Sequence, residues 1–264
     1  MKVVFIIGNG FDINLGLQTR YEDFYKFYLG LDSSNDGIQV KKLKEHLKND
    51  QDKESRYQYW SDLEIGMGNY TVNFSNVKEL KEAYYDLNDR MQEYIEMIDK
   101  KDLPASINSQ KLIRDLSYPD RYLRPLFKDE IHDFLKKWEK STYETYIVSF
   151  NYTNAFEKIL KMKENANITL SNSRFGNSNT LYPIIHIHGK VDAPLIGLND
   201  KSQIKNEVLR ENEEVQECII KPKLNEMLAH LVDVKVDNHI RTANLICIFG
   251  HSLGDTDKLW WNLM

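Results

Sequence analysis

The apolar run Val3-Val4-Phe5-Ile6-Ile7 breaks at once into Gly8-Asn9-Gly10-Phe11-Asp12. A continuous β-branched and aromatic run that stops at two glycines and resumes as a helix is the repeating unit of a parallel α/β sheet. Glycine suits the turn because it tolerates positive φ and lets another group approach the backbone closely. A helix start beyond it offers free N–H groups to a phosphate. Two readings of the turn stand side by side: a phosphate-binding loop, and a tight turn with no ligand. The run is far shorter than a signal-peptide core or a membrane span, and no targeting peptide is expected ahead of it.

Three more runs have the same character: Tyr146 to Phe150, Pro183 to Ile187, and Leu245 to Phe249. Each is followed by unusual polar or glycine residues, namely Asn151-Tyr152-Thr153, His188-Gly189 and Gly250-His251-Ser252. Ligand crevices of open α/β sheets lie at the carboxyl ends of the strands. If the four strands are neighbours, their four polar ends converge on one place. The expected fold class is therefore α/β, a doubly wound and mostly parallel sheet. Between residues 31 and 142 the composition shifts to Lys, Glu, Tyr, Leu and Met. Leu80, Tyr84, Leu87, Met91, Tyr94 and Ile98 recur at helical spacing there. That stretch reads as a large helical insertion, and residues 1–30 plus 143–264 as a nucleotide-binding core. A further helix carrying Phe134 and Trp138 is expected to end near Ser141, and 165–179 to form a loop or hairpin.

Composition narrows the function. A net charge of −5 disfavours a nucleic-acid binder, which needs surplus cations to neutralise phosphates. Two cysteines exclude a disulfide scaffold and a four-cysteine zinc site. Cys247 reads as a small core residue, Cys218 carries no signal, and a reducing, cytoplasmic setting is expected. Mean hydropathy of −0.56 reads as a well-solvated chain outside its core, and with so short an N-terminal apolar run no membrane partner is expected.

Asn151 is either a turn residue or an amide placed to bond a ribose or a water. Asn154 and Glu157 resemble a helix cap and its partner, opening a helix to Lys163. By strand alternation His186 and His188 share a face. Without further ligands a metal site is not expected. His188, beside Gly189, suits a general base because imidazole titrates near neutrality, and His186 suits a structural role. Gly250 to Gly254 matches the G-x-S-x-G hydrolase elbow, but the Asp and His that should follow Ser252 have almost no chain left to occupy. Asp255 or Asp257 can cap the helix that follows. Trp60 and Glu64 fall on one helical face, and Glu64 either caps or reaches the crevice. A nicotinamide-dependent dehydrogenase would want G-x-G-x-x-G, whereas the next glycine is Gly16; Asp32 lies in a polar loop.

Together these segments resemble the AbiH family of bacteriophage abortive-infection proteins. The residues that carry the likeness are Gly8 to Asp12, Leu15 to Phe24, Trp60 to Glu64, Ser149 to Thr153, His186 to Lys190, and Gly250 to Asp257. They span almost the whole chain in order. The family in turn looks like a distant relative of the sirtuin (SIR2-like) fold. That likeness implies a Rossmann-type NAD-binding domain with catalysis at Asn151 and His188. The cofactor-binding positions it implies are Gly8, Asn9, Gly10, Phe11, Asp12, Asp23, Thr153, Gly250, His251, Ser252 and Asp255. No metal and no additional cofactor are implied. The missing cysteines argue against a zinc-dependent deacylase, and Thr153 stands where sirtuins have Asp. Relatives of this kind tend to run longer, which leaves room for a segment beyond Met264.

The function implied is antiphage defence by hydrolysis of NAD+ at the nicotinamide–ribose bond. The expected partners are NAD+ or a related nucleotide, a phage-derived trigger and further copies of the chain. The alternative from another class is a non-catalytic NAD+ or ADP-ribose sensor whose helical insertion engages a phage or host partner.

Overall fold

A computed structural model describes residues 1–51, 62–163, 165–170, 178–227, 231–252 and 257–264. The chain opens with β1 (Lys2–Ile7), α1 (Gly10–Asn14) and α2 (Tyr21–Gly30). Helices α3 (Ile38–Gln51), α4 (Leu63–Tyr70), α5 (Val77–Asp99), α6 (Ser109–Ser117) and α7 (Pro125–Lys136) follow. Next come β2 (Tyr143–Ser149), α8 (Ala155–Leu160) and five short strands: β3 (Ile168–Leu170), β4 (Asn179–Leu181), β5 (Ile185–His186), β6 (Gly189–Lys190) and β7 (Ala193–Pro194). Helices α9 (Glu207–Arg210), α10 (Glu213–Ile219), α11 (Lys221–Met227) and α12 (Val232–Arg241) lead to β8 (Leu245–Phe249) and α13 (Lys258–Trp261).

The fold is mixed α/β with a mostly parallel sheet in the order β3-β4-β2-β1-β8. β1 is the central wedge. It pairs in parallel with β2 on one side and β8 on the other, Ile7 lying opposite both Ser149 and Phe249. Strand alternation sends Val3, Phe5 and Ile7 into one apolar cluster and Val4 and Ile6 into another. The first cluster joins the sheet to α2 and α5, and the second joins it to α12 and Trp260. Both faces are thus covered, which is why β1 reads as an unbroken apolar run. β3 and β4 form the antiparallel hairpin at the far edge.

Several elements differ from their sequence outline for identifiable reasons. The run expected from Pro183 to Ile187 supplies only β5, which pairs with Val148 and Ser149 at the end of β2. Pro183 has no N–H to give the ladder, so the strand breaks between β4 and β5. β5 stops at His186, and alternation does not extend to His188. The helix expected to reach Lys163 ends at Leu160. There Lys161 turns left-handed (φ 52°) and Met162 N–H closes onto Glu157 O at 2.9 Å. Asn154 holds the cap position without a side-chain cap bond, because its side chain and N–H turn to Asp99 instead. Past α7, Trp138, Glu139 and Ser141 continue in tight three-residue-spaced bonds, so the regular helix finishes at Lys136. The periodic stripe from Leu80 to Ile98 is the buried face of α5, whose start is capped by Asn76 accepting from Glu79 N–H at 3.1 Å.

β8 is the exception to two-sided cover. It is the edge of the sheet, Ile248 and Phe249 are each 45% exposed, and Cys247 is only half-buried. An apolar groove of about 510 Å³ runs beside it, lined by Phe5, Ile7, Phe11, Cys247 and Phe249 on the sheet side. Cys218 packs in the main core. Among the described residues no helix is long and apolar enough to cross a membrane.

The turn after β1 is closed by backbone. A Cβ on Gly10 would lie 2.6 Å from Gly250 Cα, and one on Gly8 would lie 2.6 Å from His251 Cα. Gly250 needs its own glycine, with φ at +65° and Phe11 N where a Cβ would go. Gly10→Ala should lower stability by about 1–3 kcal/mol, since neither backbone can yield without moving its strand. Chemical denaturation checks this; an unchanged midpoint would show that the two turns do not pack this closely.

Candidate functional site

At the carboxyl ends of β1, β2 and β8 lies a cavity of about 350 Å³, within the range of small-molecule sites. The turn after β1 contributes Asn9, Gly10 and Asp12 to its wall, and the turn after β2 contributes Asn151 and Thr153. His188 arrives after β5, and Gly250, His251 and Ser252 after β8. Four strand ends therefore meet around one space. Helices close the rest: Asp62 and Glu64 from the start of α4, Met91 and Tyr94 from α5, and Arg20 and Tyr21 at the start of α2.

Not every expected residue is there. Gly8 is buried behind the wall, and its N–H donates to Phe249 O at 3.0 Å. Gly10 N–H donates to Gly250 O at 2.7 Å, so neither glycine amide is free for a phosphate. Phe11 points away, stacks on Phe156 at 3.9 Å between centroids, and lines the apolar groove. Asp23 lies in the first turn of α2 near Lys26 (3.8 Å), outside the wall. Asp255 and Trp60 fall outside the described residues. Asn9 faces the cavity but is bonded to Thr19, donating to its carbonyl at 2.8 Å and accepting from its hydroxyl.

Asp12 organises the β1–β2 side. Asn151 Nδ2 donates to its Oδ1 at 3.0 Å and Thr153 Oγ1 to its Oδ2 at 2.7 Å. Burial nevertheless pushes Asp12 up to about 6, outweighing those two hydrogen bonds. Asn151 is 5% exposed, and its Oδ1 has no hydrogen-bond partner. His186 is turned elsewhere: its Nδ1 meets Asn151 O at 3.0 Å and its Nε2 meets Glu157 at 2.8 Å. It braces the turn from behind.

The opposite side is a chain of buried ionisable groups. Lys221 Nζ lies 2.7 Å from both carboxylate oxygens of Glu64 and 3.3 Å from His188 Nε2. His188 Nε2 is 3.2 Å from Asp257 Oδ1, and His251 Nε2 is 3.4 Å from Asp257 Oδ2. Burial and then the Lys221 charge push His188 down to about 4, so its imidazole is neutral at pH 7. Burial pushes Glu64 up to about 7 against the pull of Lys221, with Asp62 adding to the rise. Asp257 is held below the usual carboxylate range. Burial opposes that, but the bonds from His188 and His251 and the nearby Lys221 outweigh it. Phe150 packs edge-on against both imidazoles, 5.3 Å from His188 and 4.5 Å from His251.

Sequence reasoning had no handle on Lys221, which follows Ile219-Ile220 on α11 with no motif around it. Asp257 stands at the N-cap position just ahead of α13, where a cap was expected, but makes no side-chain cap bond. Its carboxylate lies beside the two histidines instead. Glu64 had a signal in Asp62, which accepts from Glu64 and Ile65 N–H at 3.0 and 3.1 Å and fixes the helix start. Among the described residues no cluster of His, Cys, Asp and Glu is arranged to hold a metal.

Fold and site together define a mixed α/β protein with a cavity at its parallel strand ends whose wall carries Asp12, Asp62, Glu64 and Asp257. The family model described as Bacteriophage abortive infection AbiH matches residues 4–264, and the chain belongs to that family. Membership places it among proteins of antiphage abortive infection. No curated protein and no solved structure is detectably similar to it.

Asp12 gives a direct check on the cavity's electrostatics. Its folded value of about 6 lies above the ordinary 3.8. The stability it contributes is therefore complete below about 3.8 and lost as pH rises through about 6. The stability of the parent relative to Asp12→Asn should fall between pH 4 and 7, on the order of 3 kcal/mol. Unfolding free energies measured across that window test it; a constant difference would mean the carboxyl is not desolvated.

Proposed function

We propose that this cavity binds NAD+ and hydrolyses its nicotinamide–ribose bond, the chemistry by which the chain would act in abortive infection. The observation that carries the reading is the set of buried carboxylates, Asp12, Glu64 and Asp257, on the wall of a cavity at parallel strand ends. Nicotinamide is a cationic leaving group, and the ribose gains positive charge as the bond breaks. Fixed carboxylates in a low-dielectric site stabilise that charge more than water does. The arrangement also accords with a SIR2-like Rossmann-type core, in which Asn151 and His188 would meet the ribose.

The residues divide the work by their partners. Asn151 Nδ2 is committed to Asp12, which leaves its Oδ1 to accept from a ribose hydroxyl or a water. His188 lines the cavity beside these groups, where its ring would pack against the ribose. The glycine amides of the first turn are already bonded, so the pyrophosphate would rest on exposed Arg20 and Ser252 at the mouth. One feature favours the sensor reading. His188 Nε2 and both oxygens of Glu64 already have partners within the protein, a state in which a ligand can bind without reacting.

Purified protein incubated with NAD+ should release nicotinamide and ADP-ribose, and cells expressing the chain should lose NAD+ on phage infection. His188→Ala should cut turnover on the order of 10²-fold, in line with loss of a group that positions the ribose and the buried charges beside it. NAD+ or ADP-ribose at 100 times its Kd should stabilise the fold by about 2.7 kcal/mol in thermal melts. Stabilisation without products, in vitro and in infected cells alike, would replace the hydrolase with the sensor. Parental turnover in a folded His188→Ala protein would remove His188 from the mechanism.

A further inference from the structure

Glu64 stands apart from the strand-end motifs. It comes from the first turn of α4, within the helical segment between β1 and β2, yet it lines the cavity with its side chain only 3% exposed. Lys221, whose side chain is 5% exposed, reaches it from the start of α11. The two residues are far apart in sequence, and both are anchored. Asp62 caps the turn that carries Glu64, and Lys221 N–H donates to Leu198 O at 2.8 Å.

Fold stability does not account for this arrangement. A buried ion pair is seldom more stable than apolar side chains of the same volume, because desolvation cancels the attraction. Buried ionisable groups that touch one another in a cleft are a mark of functional sites. Lys221 has three donors, enough for both Glu64 oxygens and for His188 Nε2. One ammonium thereby fixes the direction of the carboxylate and ties it to the imidazole across the cavity wall.

We propose that Glu64 is the catalytic base of this cavity, and that Lys221 is the positioning residue that aims its carboxylate. The assignment rests on the NAD+ reading above. In the step, the bond from the ribose anomeric carbon to the pyridinium nitrogen breaks, and its electron pair stays on neutral nicotinamide. A water oxygen bonds to that carbon, its proton passes to Glu64, and Glu64 then releases the proton to solvent. The sum is NAD+ plus water giving ADP-ribose, nicotinamide and one proton. A base poised near the working pH is the most effective one, and burial pushes Glu64 up to about 7. The ionisable groups facing it are Asp62 from its own helix, Lys221 from α11, Asp257 ahead of α13, Tyr21 from α2, Tyr84 from α5 and Tyr152 after β2. Of these, Lys221 alone favours the ionised carboxylate.

The test is nicotinamide release against pH for the parent, Glu64→Gln and Lys221→Met, with thermal melts to confirm that each is folded. Glu64→Gln should lose on the order of 10²–10⁴-fold in kcat with KM little changed. The parental rate should fall on the acid side of about 7, and Lys221→Met should move that fall to higher pH because the carboxylate has lost its cation. A purely structural lysine would lower the rate and leave the profile in place. A folded Glu64→Gln protein within tenfold of the parent, or an unmoved profile in Lys221→Met, overturns the assignment while the NAD+ reading stands. A parent that releases no nicotinamide, alone or in infected cells, overturns both. If Glu64→Gln does not fold, Glu64→Asp and the Lys221→Met profile decide.

Discussion

The cavity exists because the backbones of two strand ends touch. The turns after β1 and β8 approach so closely that a single methyl on Gly8, Gly10 or Gly250 would overlap main-chain atoms. Gly8 and Gly10 N–H complete the contact by bonding Phe249 and Gly250 carbonyls, extending the parallel ladder past the ends of the strands. With the two turns locked, α1 must leave in one direction. Asp12 then faces Asn151 and Thr153, and Phe11 faces Phe156 on the other side. The acid-lined cavity and the apolar groove are thus the two sides of one short helix. Their separation follows from where three glycines allow the chain to go.

Much of this was legible in the sequence, and the reasons differ by residue. β1 and β8 were readable because continuous apolar runs bounded by glycine have few other uses. The meeting of Asn9, Asn151, His188 and Gly250 followed from one rule about strand ends in parallel sheets. The α5 face was readable from spacing alone. What escaped depends on tertiary contact. The motif at Gly8 and Gly10 suggested phosphate contacts, but its glycines answer to Gly250 and His251, more than two hundred residues away in the chain. Phe11 could not be assigned a side until the turn had a direction. Lys221 carries no local signal, since a lysine in an ordinary helix becomes special only by lying beneath Glu64 and His188.

Neighbouring acids in this site are held in different states. Asp12 and Glu64 are pushed up to about 6 and 7 by burial, whereas Asp257, bonded by His188 and His251, stays ionised. His188 is kept neutral by the same burial and by Lys221. Separating the proton affinities of adjacent groups is how a site keeps an acid, a base and a fixed charge within a few ångströms. It also gives the pocket a charge that depends on pH just below neutrality, and hence a varying attraction for a cationic ring.

The Glu64–Lys221 contact constrains how the protein can change over time. Losing either member alone strands a buried charge, typically at a cost of 3–5 kcal/mol, whereas replacing both with apolar side chains is often close to neutral. A lineage that abandons the pair must cross that barrier in one double step or first relax the packing around it. Across related sequences the two positions are therefore expected to persist together or vanish together. Their joint disappearance would mark members that have kept the fold and given up what this cavity does.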